Sequence, residues 1–185
     1  MRKLSVQEMN RLTVEEFRAA KKVPLVAVLD NVRSLHNVGA VFRTADAFRL
    51  EAVWLCGISV HPQPDKPDEW PPDVHKTALG AESTVPYKYF ADTMDAVKSL
   101  REAGYTIFAV EQAEGSLALD TVQLDPTKRY AVVLGHEVFG VQQEVVDAAD
   151  GCLEIPQFGT KHSLNVSVAG GIVLYSLSQK LRELQ

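Results

Sequence analysis

PLVAVLDNVRSLHNVGAVFRTADAF, Pro24 to Phe48, opens on seven residues that are apolar up to a closing aspartate and show no strict alternation. A run of that kind is too short for a helix and fits a strand covered on both faces. After a polar interval, apolar residues return at helical spacing. With Asn37 taken as the N-cap, Val38, Val41, Phe42, Ala45 and Phe48 share one face and Arg43 projects roughly opposite. A buried strand feeding an amphipathic helix is the first half of a βαβ unit, and it sets the fold class.

The same rhythm continues on the C-terminal side. Short apolar, β-branched runs recur at 52–58 (AVWLCGI), 106–111 (TIFAVE), 130–135 (YAVVLG) and 152–156 (CLEIP). The clearest helix between them is DTMDAVKSLREAG, capped by Asp92, striped by Val97, Leu100 and Ala103, and ended by Gly104. Strands alternating with helices predict an α/β domain with a mainly parallel sheet and helices on both faces. Upstream, Ser5-x-x-Glu8 and Thr13-x-x-Glu16 are capping boxes that predict two short helices ending near Lys21 and Lys22. This gives a helical extension over 1–23 and one domain over 24–185. The segment His61–Thr77 holds five of the nine prolines and is expected to be a functional loop or lid, or else a surface excursion.

Composition narrows the function. Of 185 residues, 46% are hydrophobic and 23% charged, the balance of a folded globular protein. No apolar run approaches the ~20 residues of a membrane span and the N-terminus lacks a signal-peptide core, so a cytoplasmic location is expected. Cys56 and Cys152 lie in or beside apolar runs without ligand spacing, which reads as two buried hydrophobes and no metal site. The net charge of −5 is uneven: residues 1–22 carry six basic and three acidic side chains, the remainder thirteen and twenty-one. A basic segment on an acidic body suits either a phosphate-contacting arm or a solvated helix surface.

Ligands of open α/β sheets gather beyond the carboxyl ends of the strands, and three polar clusters lie there. The first is HNVGAVFRTADAF, with Asn37, Gly39 and Arg43; an ordinary cap and a solvated arginine are its plain alternative. The second, VVLGHEVFGV, brackets Glu137 between Gly135 and Gly140, where glycines let a backbone approach a ligand; a solvated glutamate in a glycine-rich turn is its plain alternative. Its GHE is not a zinc motif, because HExxH needs a histidine where Gly140 stands. The third is IPQFGTKHSLNVSVAGGIVLYSL. Ser163 is its natural N-cap, the helix is apolar nearly all round and so expected to be buried, and Asn165 is a carboxamide in need of partners. The Gly170-Gly171 pair allows close backbone approach, by the sheet or by a second subunit.

The three clusters, in this order and spacing from Pro24 to Leu177, resemble the motifs of the SpoU-type (TrmH-like) ribose methyltransferases of the SPOUT superfamily. The resemblance implies a C-terminal deep trefoil knot and a homodimer formed through it. It implies S-adenosylmethionine as cofactor, held by backbone near Val110, Gly135, Ile155 and Leu164. The acceptor is then a ribose 2′-hydroxyl in structured RNA, tRNA ahead of rRNA. The implied catalytic set is Asn37, Arg43, Glu137, Ser163 and Asn165. Arg43 serves as base or phosphate anchor, with Asn37 orienting Arg43 or the ribose and Glu137 holding Arg43 or its loop. RNA contacts are expected from the N-terminal basic helices, the proline-rich loop, Arg33, Lys161 and the second subunit, with salt-sensitive affinity. A non-catalytic RNA-binding or S-adenosylmethionine-binding dimer is the alternative. A serine hydrolase built on Ser163 with His162 or His136 lacks the G-x-S-x-G elbow.

Overall fold

The computed structural model describes residues 1–5 and 7–183. After a 3-10 turn at Gln7–Met9 and α1 (Val14–Ala19), the body runs β1 (Val23–Asp30), α2 (Leu35–Ala47), β2 (Leu50–Cys56), α3 (Pro72–Ala78), α4 (Ala81–Thr84), β3 (Tyr87–Phe90), α5 (Thr93–Glu102), β4 (Tyr105–Val110), β5 (Leu117–Ala118), β6 (Arg129–Leu134), α6 (Gln143–Ala148), β7 (Gly151–Glu154) and α7 (Val166–Glu183). The strands form one sheet in the order β3-β2-β1-β6-β4-β7-β5, with every neighbouring pair parallel.

Helices cover both faces, as the unbroken apolar runs require. Along β1, Leu25, Ala27 and Leu29 face a core shared with Val38, Val41 and Phe42 of α2 and Val173, Leu174 and Leu177 of α7. Val26 and Val28 face the other core, built with Ala96, Val97 and Leu100 of α5 and Val145 of α6. The Thr13–Glu16 capping box forms, and Phe17 of α1 is buried in the first core.

Five of the seven strands fall where the sequence predicts them, with β2 starting and ending two residues early. The additions, β3 and β5, are short outer strands whose residues are half-buried or exposed. Five local expectations are corrected. Ser34, not Asn37, is the N-cap of α2; its side chain accepts from the Asn37 N–H and leaves the Asn37 amide free. Residues 72–77 of the proline-rich segment belong to helix α3, because Pro72 stands in its first turn, where no N–H is needed. Ala103 caps α5 and is exposed. Helix α7 starts at Val166, and Asn165, not Ser163, bonds its first N–H groups. It is also not buried all round: Val168, Ile172 and Tyr175 are 51%, 40% and 55% exposed.

Gly39 has a packing reason. A Cβ there would overlap Thr77 Oγ1 and the Val74 carbonyl oxygen, so the missing side chain is what lets α3 lie against α2.

Candidate active site

Strand order reverses direction at β1 and β6, and loops leaving their carboxyl ends part to either side. Across this crevice Glu137, just after β6, reaches the loop just after β1. Its Oε1 accepts from the Ser34 N–H at 2.8 Å and the Asn37 side-chain amide at 3.0 Å; its Oε2 accepts from the Arg33 N–H at 3.1 Å. Burial pushes the Glu137 pKa up, but the bonds from Asn37, Ser34, its own N–H and Arg33 outweigh it and leave the group below the usual glutamate value. Glu137 is thereby kept ionised and holds the loop that carries α2; it makes no hydrogen bond to Arg43.

The Asn37 amide links onward. Its oxygen accepts from the Asn165 Nδ2 at 3.2 Å, while Asn165 Oδ1 accepts from the Ser167 and Val168 N–H groups at the start of α7. Asn165 is exposed, not buried, and finds its partners as a helix cap. One chain of hydrogen bonds therefore joins all three motifs, from Glu137 through Asn37 to Asn165. Ser163 lies close by in an exposed loop, and its hydroxyl makes no hydrogen bond, to His136, His162 or any other described residue.

Arg43 stands apart. It is exposed on α2, six residues and roughly 9 Å along the axis from Asn37, and has no ion pair or hydrogen bond among the described residues. The structure brings Asn37, Glu137 and Asn165 together and does not bring Arg43 to them.

Beyond the carboxyl ends of β4, β6 and β7 lies a cavity of about 750 Å³, and Val110, Gly135, Ile155 and Leu164 are all in its wall. Its charge is one-sided. Glu111, Glu114, Glu137, Asp147 and Glu154 line it, and among the described residues no lysine or arginine does. With apolar strand ends below and carboxylates around, the cavity fits a cationic ligand with a planar apolar part, such as a sulfonium nucleoside. The tight loop above is closed by paired bonds between His136 and Gly140, at 2.9 Å each. A Cβ on Gly135 would overlap the backbone of Gly140, so this glycine permits the loop to close on itself.

Strand-end side chains outside the expected set hold this architecture. Asp30, fully buried, accepts from the Gln142 N–H at 2.9 Å, the Gln142 side chain at 2.8 Å and Thr93 Oγ1 at 2.6 Å, tying β1 to the loop after β6. Glu111 accepts from the Val141 N–H at 3.2 Å and occupies the space a Gly140 Cβ would need, where φ is +69°. Gln112 donates to the His162 carbonyl at 2.6 Å, fastening the loop before α7. The sequence signal for Asp30 and Glu111 is an acid directly at the end of a buried strand.

Residues 24–175 match the model of the SpoU rRNA Methylase family. The chain is 32% identical over 173 residues to the tRNA (guanosine(18)-2′-O)-methyltransferase of Thermus thermophilus, covering 94% of this chain and 84% of that one. It is 38% identical over 164 residues to the 23S rRNA (guanosine-2′-O-)-methyltransferase RlmB of Nitrosomonas europaea, covering 88% and 59%. Among solved structures, the A. aeolicus TrmH/SpoU tRNA modifying enzyme superposes with a TM-score of 0.75 at 28% identity, over 92% of this chain and 83% of that one. The AdoMet-bound rRNA methyltransferase of Sinorhizobium meliloti gives 0.75 at 28% identity, over 89% and 60%. The motifs joined by Glu137, Asn37 and Asn165 thus lie in a chain that belongs to the SpoU methylase family.

Proposed function

We propose that this protein is an S-adenosylmethionine-dependent RNA methyltransferase acting on a ribose 2′-hydroxyl. The observation that carries the reading is the Glu137–Asn37–Asn165 bond chain at the edge of a carboxylate-lined cavity. The RNA is a tRNA in this reading, the substrate named for the Thermus relative aligned over most of this chain. Bound S-adenosylmethionine supplies a methyl group on a sulfonium, and methylation of a hydroxyl releases a proton. Backbone at Val110, Gly135, Ile155 and Leu164 holds the adenosine, and the carboxylates around the cavity favour the cationic end.

The chain's own residues then orient the acceptor. Glu137 fixes Asn37, and Asn37 with Asn165 and the Ser163 hydroxyl presents hydrogen-bonding groups to the ribose. The Arg43 guanidinium anchors the adjacent phosphate or stabilises the forming oxyanion.

The exposed apolar stripe of α7, Val168, Ile172 and Tyr175, supports a homodimer through this helix, with Gly171 on the same face open to a close approach. Pairing there puts the exposed face of α2, and Arg43 with it, at the boundary between copies. The C-terminal segment belongs to a trefoil knot in this reading, residues 1–23 are a short extension before a methyltransferase domain over 24–185, and the enzyme works in the cytoplasm.

The test is methyl incorporation from S-adenosylmethionine into tRNA, with nuclease mapping of the product as a 2′-O-methylnucleotide. Arg43→Ala is expected to keep the melting temperature and the calorimetric S-adenosylmethionine affinity while abolishing methyl transfer. Wild-type turnover in that variant removes Arg43 from the mechanism.

A further inference from the structure

The loop that carries Glu137 brings a second side chain to the cavity. Phe139, two residues further on, lines it and is 84% exposed; Val138 and Leu164 in the same wall are 72% and 38% exposed. Apolar groups left in water together at the rim of a polar cavity add nothing to the fold of this chain and mark a contact surface.

The loop is built to keep the Phe139 ring in place. Its ends are paired by the His136–Gly140 bonds, and within it His136 Nδ1 accepts from the Val138 N–H at 3.0 Å and the Phe139 N–H at 3.4 Å. The imidazole so fixed also backs the phenyl ring, with centroids 4.9 Å apart and planes 33° apart. An aromatic ring held from behind and open in front is a preorganised stacking surface.

Charge narrows what can stack there. Five carboxylates line the cavity and, among the described residues, no lysine or arginine does, while the Val138, Phe139 and Gly140 N–H groups are all bonded within the loop. A phosphate finds neither a cation nor one of these amides free. A nucleobase is uncharged and needs only a π-face. A nucleotide entering the cavity also leaves the stack of its neighbours, a cost in free energy that an aromatic ring at the entrance offsets. The position fits as well. Two residues of chain put the Phe139 Cα within about 7 Å of that of Glu137, the carboxylate that fixes Asn37.

We propose that Phe139, backed by His136, stacks on the base of the nucleotide whose ribose is methylated and holds that nucleotide unstacked at the cavity. The inference deepens the RNA-methyltransferase reading and rests on it for the identity of the ligand. Stacking of this kind accepts any base, so Phe139 contributes affinity and placement, and the choice of nucleotide falls to other contacts.

Filter binding of unfractionated tRNA to the full protein without S-adenosylmethionine, from low to moderate salt, tests this beside methylation kinetics. Phe139→Ala should weaken RNA binding about tenfold at every salt concentration, leaving the slope of log Kd against log salt unchanged, because no phosphate contact is removed. Phe139→Tyr should restore the affinity and Phe139→Leu should not, a pattern that requires a ring and not merely an apolar side chain. For Phe139→Ala, kcat/KM for RNA should fall at least tenfold, while melting temperature, calorimetric S-adenosylmethionine affinity and sedimentation match wild type. Undiminished RNA binding in Phe139→Ala, a reduced salt slope, or full recovery in Phe139→Leu overturns the proposal. So does lost S-adenosylmethionine affinity, which would assign the ring to the cofactor, or weakened self-association, which would assign it to a second copy of the chain. Wild-type protein that shows this binding pattern but transfers no methyl group to tRNA or rRNA would instead overturn the functional reading and leave the stacking standing.

Discussion

Replacing Glu137 by glutamine separates its charge from its shape. The carboxylate accepts three bonds, from Ser34, Asn37 and Arg33. In its best orientation the glutamine oxygen keeps Ser34 and Asn37, and its NH2 then faces the Arg33 N–H, donor against donor. Hydrogen bonds to a charged acceptor contribute about 1.5–3 kcal/mol each and neutral ones about 1, so the two retained bonds weaken and the third is lost. Arg33 is exposed and can turn to water, which places the expected cost at the low end, about 2 kcal/mol. In a domain of this length that is roughly 4–8 °C in melting temperature. The pH dependence carries the sign. The folded pKa of Glu137 lies below its unfolded value, so the contribution is complete above the ordinary glutamate range and disappears as pH falls through the lowered folded value. Urea unfolding of wild type and Glu137→Gln at neutral pH and at about pH 3 measures it: the gap should narrow strongly on acidification. A gap that is the same at both pH values would refute the assignment of these bonds to an ionised carboxylate.

Gly39→Ala should destabilise by about 1–3 kcal/mol in chemical denaturation, since overlap with the Val74 carbonyl outweighs the better helix propensity of alanine. Gly171→Ala meets nothing within 4 Å in one chain, so it should leave the fold intact or stabilise it by up to about 1 kcal/mol. Self-association of that variant, followed by sedimentation, should weaken, and unchanged association would refute the proposed pairing through α7. Glu114 lines the cavity and makes no side-chain hydrogen bond among the described residues, so Glu114→Gln should weaken S-adenosylmethionine binding several-fold by calorimetry at low salt while the melting temperature stays constant.

What was legible in the sequence is what burial dictates. Runs such as YAVVLG cannot lie anywhere but inside a covered sheet, and β6 is buried from Tyr130 to Leu134. YKYF and LA were illegible because their strands are outer ones, where burial imposes no pattern. The helix starts were misplaced for a related reason. Ser34 and Asn37, like Ser163 and Asn165, are capping residues two or three positions apart, and only the tertiary partner decides which one caps. Glu137 claims the Asn37 amide, so Ser34 takes the helix; Asn37 in turn bonds Asn165, which starts α7.

The loops at the carboxyl ends of the strands show charge serving two purposes at once. A loop N–H beyond the sheet has no ladder partner and must find one elsewhere. Here carboxylates standing at or just after strand ends supply them: Asp30 for Gln142, Glu111 for Val141 and Glu137 for Arg33 and Ser34. Two of these, Glu111 and Glu137, also line the cavity. The groups that fasten the backbone are therefore among those that give the site its negative field, and this part of the field comes from fixed, already hydrogen-bonded charges that need little reorganisation when a cation arrives. Arg43 has the opposite design, exposed and without a hydrogen bond or ion pair among the described residues. A guanidinium placed that way acquires a defined position only from what arrives beside it, which in the proposed function is the RNA phosphate or a second copy of the chain.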